Sequence, residues 1–322
     1  MYRNRHTNKF IALTRRLFQR RANQGATSRR GFLSGLCALP AAALTVNTDA
    51  TAQATQSATG QSDAGQSGNR NFAEVIGYQL ERHIKDARFA ILPLGSVEYH
   101  GPSGPPATDT ALATGIAARL APKFNASVFP PIHFTHNPAH TAEFRGSVSV
   151  RPAVLTMYFE DVLRGIVQNG FKKVFVLNGH SGNIAPMRAA ISQVAAERKE
   201  ADFLLASWWE TLSIQLVENL KLFTSGNGGR GHGGPLEMSS AAVFLPNSVE
   251  AGRGPDLPPT VRPEDGFPYY HEKADVSDWP GYSGKLSEIS RDKGEKLVDT
   301  ATKRLEALLE YWLKNESKAG NW

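Results

Sequence analysis

Between residues 72 and 314 the chain alternates apolar runs of strand length with stretches of helical spacing. Phe89-Ala90-Ile91-Leu92-Pro93-Leu94, Lys173-Val174-Phe175-Val176-Leu177-Asn178 and Phe203 to Ala206 have the length and continuous apolarity of buried strands. Helical spacing covers residues 72–87, 110–120, 154–169 (closed by Gly170) and 185–198, and 288–314 reads as a long amphipathic helix. The alternation predicts an α/β fold with a mainly parallel central sheet covered by helices. Residues 226–234, rich in glycine, and the proline-rich 254–268 read as loops, with a helix opening just after the first.

The N-terminal 71 residues follow no such pattern. Ser28-Arg29-Arg30-Gly31-Phe32-Leu33 precedes an apolar run ending at Val46, then small residues in Ala50-Thr51-Ala52 and Ala52-Gln53-Ala54. Residues 1–54 are therefore expected to be a twin-arginine signal peptide, handled by the twin-arginine export machinery and removed. Pro40 breaks the apolar run, which falls short of the roughly 20 residues that span a bilayer, so no stable membrane anchor is expected after cleavage. Residues 55–71, almost devoid of large apolar side chains, read as a flexible linker, and 72–322 as a single α/β domain, periplasmic or secreted.

Charge changes meaning once this leader is set apart. The whole chain carries a formal charge of +6, but nine of its 36 Lys and Arg and one of its 30 Asp and Glu lie in 1–54, leaving 27 against 29, a net of −2. The basicity thus belongs to the leader, and no nucleic-acid partner is expected. The lone cysteine, Cys37, also lies there, which excludes disulfides and thiolate chemistry from the mature chain and restricts metal ligands to His, Asp and Glu.

Such residues cluster at strand ends. Glu98 and His100 stand two apart just after the first strand, so in an extended chain their side chains share a side. Asp109 follows a Gly- and Pro-rich turn at the start of the next helix, and His180 lies in Asn178-Gly179-His180-Ser181-Gly182-Asn183 beyond the second strand, where glycines allow close backbone approach. Ligand sites of open α/β sheets collect at the carboxyl ends of strands, so these four are expected at one rim. Mixed imidazole and carboxylate donors suit Zn²⁺ or Mn²⁺, and a carboxylate bridging two ions would clamp and acidify a shared water. In His232-Gly233-Gly234-Pro235-Leu236-Glu237, Glu237 could complete a metal shell and His232 could move protons. Taken singly, each has a plainer role: surface charge for Glu98, helix N-cap for Asp109, loop histidine for His180, first-turn acid for Glu237, exposed imidazole for His232.

Taken together, the motifs resemble those of the creatininase family. Leu92-Pro93-Leu94-Gly95-Ser96-Val97-Glu98-Tyr99-His100-Gly101-Pro102 with Thr108-Asp109-Thr110 is similar to its opening signature. Asn178 to Asn183 and His232 to Ser239 are similar to the second and third, with His140 to Val148 between them and Gly281-Tyr282-Ser283-Gly284 near the end. The resemblance implies a three-layer α/β/α domain, two divalent ions (Zn²⁺ or Mn²⁺, or Fe²⁺), hydrolysis of a non-peptide C–N bond and a homohexamer. It also implies that Asp109 bridges the metals, Glu98 and His180 bind one ion, and His100 binds the other. Gly182 stands where creatinine hydrolases carry a Glu, which makes Glu237 the replacement ligand. Ser103 stands where a His is common, and the loop before His232 lacks the tryptophan those enzymes place over the substrate, a wall that Trp208 and Trp209 are expected to supply.

The expected function is therefore metal-activated hydrolysis of a small-molecule amide, cyclic amide or formamide, with His232 or Glu237 helping the amine leave. Two rivals keep the same site: peptidase-like processing of a modified peptide, and a periplasmic metal- or ligand-binding protein whose catalytic centre has decayed.

Overall fold

The computed structural model of the chain describes residues 70–224, 226–259 and 278–314. The expected signal peptide and nearly all of the expected linker lie outside them; Arg70 and Asn71, at the linker's end, pair with the backbone of Val128.

Four strands form one parallel sheet: β1 (Ala90–Leu94), β2 (Ser127–Val128), β3 (Lys173–Asn178) and β4 (Asp202–Ser207), in spatial order β2-β1-β3-β4. Five residue pairs register β1 with β3, from Ala90 against Val174 to Leu94 against Asn178, so the two strands end side by side. Eight helices accompany them among the described residues: α1 (Leu80–Asp86), α2 (Thr108–Phe124), α3 (Ala139–Ala142), α4 (Pro152–Gln168), α5 (Ile184–Glu197), α6 (Ile214–Asn219), α7 (Pro235–Phe244) and α8 (Arg291–Lys314). Residues 72–87, expected as one helix, instead make 3₁₀ turns at Phe72–Glu74 and Gly77–Gln79 before α1, because Val75 and Ile76 adopt extended backbone. Both are β-branched, with reduced helix preference.

Side chains of the central strands alternate between two cores, which is why the strand runs are apolar throughout. Ile91, Phe175 and Leu177 pack with Leu112, Ile116 and Leu120 of α2, with α7, and with Leu297, Leu305 and Leu309 of α8. Leu92, Leu94, Val174 and Val176 pack with Leu155, Phe159 and Leu163 of α4 and with Met187 and Val194 of α5. Helices thus cover both sheet faces in three layers, as the sequence pattern and the resemblance anticipate. Each fully buried Leu, Ile or Phe contributes about 1.5–3 kcal/mol of transfer free energy.

The strand order reverses between β1 and β3. The chain leaves β1 towards β2 on one side, then returns past β1 to β3 and β4 on the other. In open α/β sheets such a reversal is where a ligand crevice lies, beyond the carboxyl ends of the two strands.

Candidate metal centre

The first turn of α2 closes down on both strand ends at the crevice. It does so because both positions that follow are glycine: a Cβ at Gly95 would lie 2.0 Å from Thr110 Oγ1, and one at Gly179 would lie 2.3 Å from the Asp109 carbonyl oxygen. Gly179 N–H also donates to the Leu94 carbonyl at 2.7 Å. The carboxylate of Asp109 consequently sits between the two strands.

Each Asp109 oxygen faces a different histidine: Oδ1 is 3.0 Å from His100 Nε2, and Oδ2 is 3.0 Å from His180 Nδ1. Ser96 Oγ–H donates to Oδ2 at 2.7 Å and fixes the carboxylate plane. Glu98 Oε2 lies 3.0 Å from His180 Nδ1 and 4.0 Å from His100 Nε2, while Glu237 Oε2 lies 3.8 Å from His100 Nε2 and accepts the Gly233 N–H at 2.8 Å. His232 Nδ1 is 3.9 Å from Glu98 Oε2, and its ring packs on His100 at 4.4 Å. All six residues singled out from the sequence therefore meet. Asp109 caps no helix, since the N-cap of α2 is Ala107. Glu98, 2 % exposed, is no surface charge.

The histidines share one wiring. His100 Nδ1 is 2.8 Å from the Glu98 carbonyl, His180 Nε2 is 2.8 Å from the His136 carbonyl and His232 Nε2 is 2.7 Å from the Tyr99 carbonyl. A carbonyl only accepts, so each of these nitrogens donates and the opposite nitrogen of each ring turns to the carboxylates. That is how metal-ligating histidines are held. Donor atoms of Glu98, Asp109 and His180 lie within 4.8 Å of one another, as do those of His100, Asp109 and Glu237, and those of Glu98, His100 and His232. Among the described residues no Lys or Arg forms an ion pair with these carboxylates. Three acids in one largely buried place then need another source of positive charge. The donor set fits divalent cations.

Without metal, protons supply that charge. Burial disfavours charged His100, but the carboxylates of Asp109, Glu237 and Glu98 outweigh it and hold the imidazole up at about 10. His180 is raised well above its ordinary value by Glu98 and Asp109 against the same burial. In return, against burial, His180 and His232 bring Glu98 down to about 2, and His100 and His180 hold Asp109 well below the carboxylate range. Glu237 is the exception: burial raises its carboxyl. Metal uptake must displace imidazole protons.

Two departures from the family motifs find their place. Ser103 is buried, its carbonyl accepting the Glu250 N–H at 3.0 Å and its hydroxyl the Arg253 N–H at 3.4 Å. A Cβ at Gly182 would lie 2.1 Å from the His136 carbonyl oxygen and 2.6 Å from His180 Nε2. The bond that anchors His180 therefore occupies the space a larger side chain would need.

The expected aromatic wall is corrected. Trp208 is 1 % exposed in the core under α8, and Trp209 packs against the same core. Their apolar surface is spent on the fold. Another tryptophan, Trp279, lies nearer the site, with its ring 5.7 Å from His232 and 5.4 Å from His140. Sequence reading missed it, together with the supporting roles of Ser96, Tyr99 and His136. The one available signal was its place two residues before the Gly281-Tyr282-Ser283-Gly284 motif.

Comparison with known proteins agrees with this geometry. A creatinine amidohydrolase of Pseudomonas putida is 28% identical over 221 residues, covering 65% of this chain and 84% of the relative. A mycofactocin precursor peptide peptidase of Mycolicibacterium smegmatis is 32% identical over 143 residues, covering 42% and 57%. Two solved creatininase structures, a mutant of the Zn–Zn type and an Mn form, superpose with TM-scores of 0.68 and 0.67 at 23% identity, covering 76% of this chain and 98% and 99% of theirs. The family model described as creatininase, creatinine amidohydrolase, matches residues 74–309, and the chain belongs to the creatininase family.

Proposed function

We propose that the chain is a metal-dependent amidohydrolase that cleaves a non-peptide C–N bond of a small amide, cyclic amide or formamide. The observation that carries this reading is the shared wiring of His100, His180 and His232, each anchored to a carbonyl and each turned towards buried acids that no Lys or Arg pairs with among the described residues. Family membership and the creatinine amidohydrolase relative support the reaction class. We assign Glu98, Asp109 and His180 to one ion and His100, Asp109 and Glu237 to a second, because Asp109 offers one oxygen to each group. Zn²⁺ or Mn²⁺ suits these donors, as does Fe²⁺. The Zn–Zn and Mn creatininases support the first two.

Such ions, when bound, polarise a carbonyl and acidify a water. The chain's residues prepare the rest. Ser96 fixes Asp109, and the carbonyls of Glu98, His136 and Tyr99 fix the three rings, so little reorganisation is left for the reaction. His232, anchored through Nε2, keeps Nδ1 towards the centre, where it can take a proton from water and return it to the departing nitrogen. Hydrolysis of aliphatic and cyclic amides by the purified chain, lost on chelation and restored by Mn²⁺ or Zn²⁺, is the expected result. Activity that survives thorough chelation would sink the proposal.

A second reading, cleavage of a modified peptide, is supported by the mycofactocin peptidase relative. Product mass spectrometry with peptide and small-amide substrates separates the two. The third reading, a binding protein whose catalytic centre has decayed, is separated from both by whether the metal-loaded protein turns over any amide or peptide. The Arg29-Arg30 leader supports export by the twin-arginine machinery to the periplasm or beyond, with a folded protein carrying its metal across. Hexamer formation rests on the family resemblance, and the mass in solution tests it. Among the described residues no helix is long and apolar enough to cross a membrane.

A further inference from the structure

Access to the centre is one-sided. The side chains of Glu98, His100, Asp109 and His180 are 0–3% exposed, whereas Glu237 is 18% and His232 is 21% exposed. A substrate must therefore come in past His232 and Glu237. Trp279 stands next to His232 on this open side, half-buried, its ring 5.7 Å away and tilted by 51°. His140 lies 5.4 Å from its ring and Phe144 packs edge-on at 6.0 Å, with Phe144 in turn stacked on Tyr99 at 5.0 Å. Tyr99 is the same residue whose carbonyl anchors His232.

The backbone that carries Trp279 is built for this approach. Gly281 has φ +82, and a Cβ there would lie 2.7 Å from the Tyr99 ring and 3.2 Å from the Phe144 ring, so only glycine lets residues 279–282 lie this close to the aromatic pair. The Trp279 indole N–H makes no hydrogen bond among the described residues. An aromatic ring beside the solvent-open side of the centre suits a flat group that stacks on it.

We infer that Trp279 is the specificity-determining residue of this site: the wall against which a planar, conjugated group next to the scissile amide is held. The inference rests on the amidohydrolase reading for the identity of the substrate, but its test does not need turnover. Benzamide and cyclohexanecarboxamide have the same carbon skeleton and the same amide, and differ in planarity.

The test is the affinity of Mn²⁺-loaded protein for each, by calorimetric or NMR titration, with wild type, Trp279→Leu and Trp279→Phe. Wild type is expected to bind benzamide about two- to tenfold more tightly, the gain of one aromatic contact. Trp279→Leu should remove that preference, and Trp279→Phe, which keeps a ring, should restore part of it. Equal affinities in wild type, no binding of either amide, or a preference that survives in Trp279→Leu would overturn the inference. Preferential benzamide binding by a protein that hydrolyses no amide would keep the wall and retire the amidohydrolase reading.

Discussion

The inner and outer halves of the centre are built differently. Glu98, His100, Asp109 and His180 are packed to near-complete burial beyond the ends of two adjacent strands, where two glycines admit the first turn of α2, backbone carbonyls orient both imidazoles and Ser96 orients Asp109. His232, Glu237 and Trp279 come from loops and a helix start more than fifty residues further along the chain, and are partly open to solvent. The inner half cannot change without unpacking the core of the sheet. On the outer half Trp279 can vary without removing a group assigned to the chemistry, whereas Glu237 is assigned to the second ion and His232 to proton transfer. Retained reaction chemistry and a changing substrate within one family are what this division would produce.

The contrast can be broken most severely at Asp109. Asp109→Ala removes the carboxylate that faces both histidines, and activity is expected to fall about a thousandfold or more together with metal content. An active, metal-bearing variant would show that the inner four are not the centre. His232→Ala should instead spare metal content while kcat falls about a hundredfold, separating proton transfer from ligation. Loss of metal in that variant would move His232 into the inner group.

Ser96→Ala tests the support beneath the inner acids. Losing the 2.7 Å bond to Asp109 should weaken metal affinity about tenfold, read by competition with a chromophoric chelator, and an unchanged affinity would mean the carboxylate is held by packing alone. Protonation offers a gentler probe of the same half. The folded-state value of His100, raised to about 10 from an ordinary 6.5, stabilises the metal-free protein fully below the ordinary value, and that stability is lost as pH rises through about 10. The melting temperature of metal-free protein should therefore drop between neutrality and about pH 10, with a smaller drop in the metal-loaded form, whose imidazoles have already given up their protons. A metal-free protein with no drop would place the charge elsewhere. Trp279→Leu, on the outer half, carries the smallest effect.

The same division decides what the sequence disclosed. Strands β1, β3 and β4 were legible because buried parallel strands are apolar on both faces; Glu98, His100 and His180 because they follow those runs closely, and Asp109 because it opens the helix after the Gly- and Pro-rich turn. Gly179 was visible as a turn residue and Gly95 only as part of the first motif. Their actual work, admitting the first turn of α2 onto the strand ends, is a tertiary contact that no local pattern carries. The two-residue β2 is too short to show a period, and the extended Val75 and Ile76 broke a helix that spacing alone had joined. Aromatic residues were the hardest to place. Trp208 and Trp279 look alike as letters, and only packing shows that one fills the core while the other stands beside His232.

The central claim is that the buried acids and imidazoles hold metal, and counting ions per chain tests it directly. Elemental mass spectrometry on the purified wild-type protein, loaded with Zn²⁺ or Mn²⁺, should find about two ions per chain, one for each of the two donor groups that share Asp109. A chain that stays free of metal after loading with each ion would contradict the account.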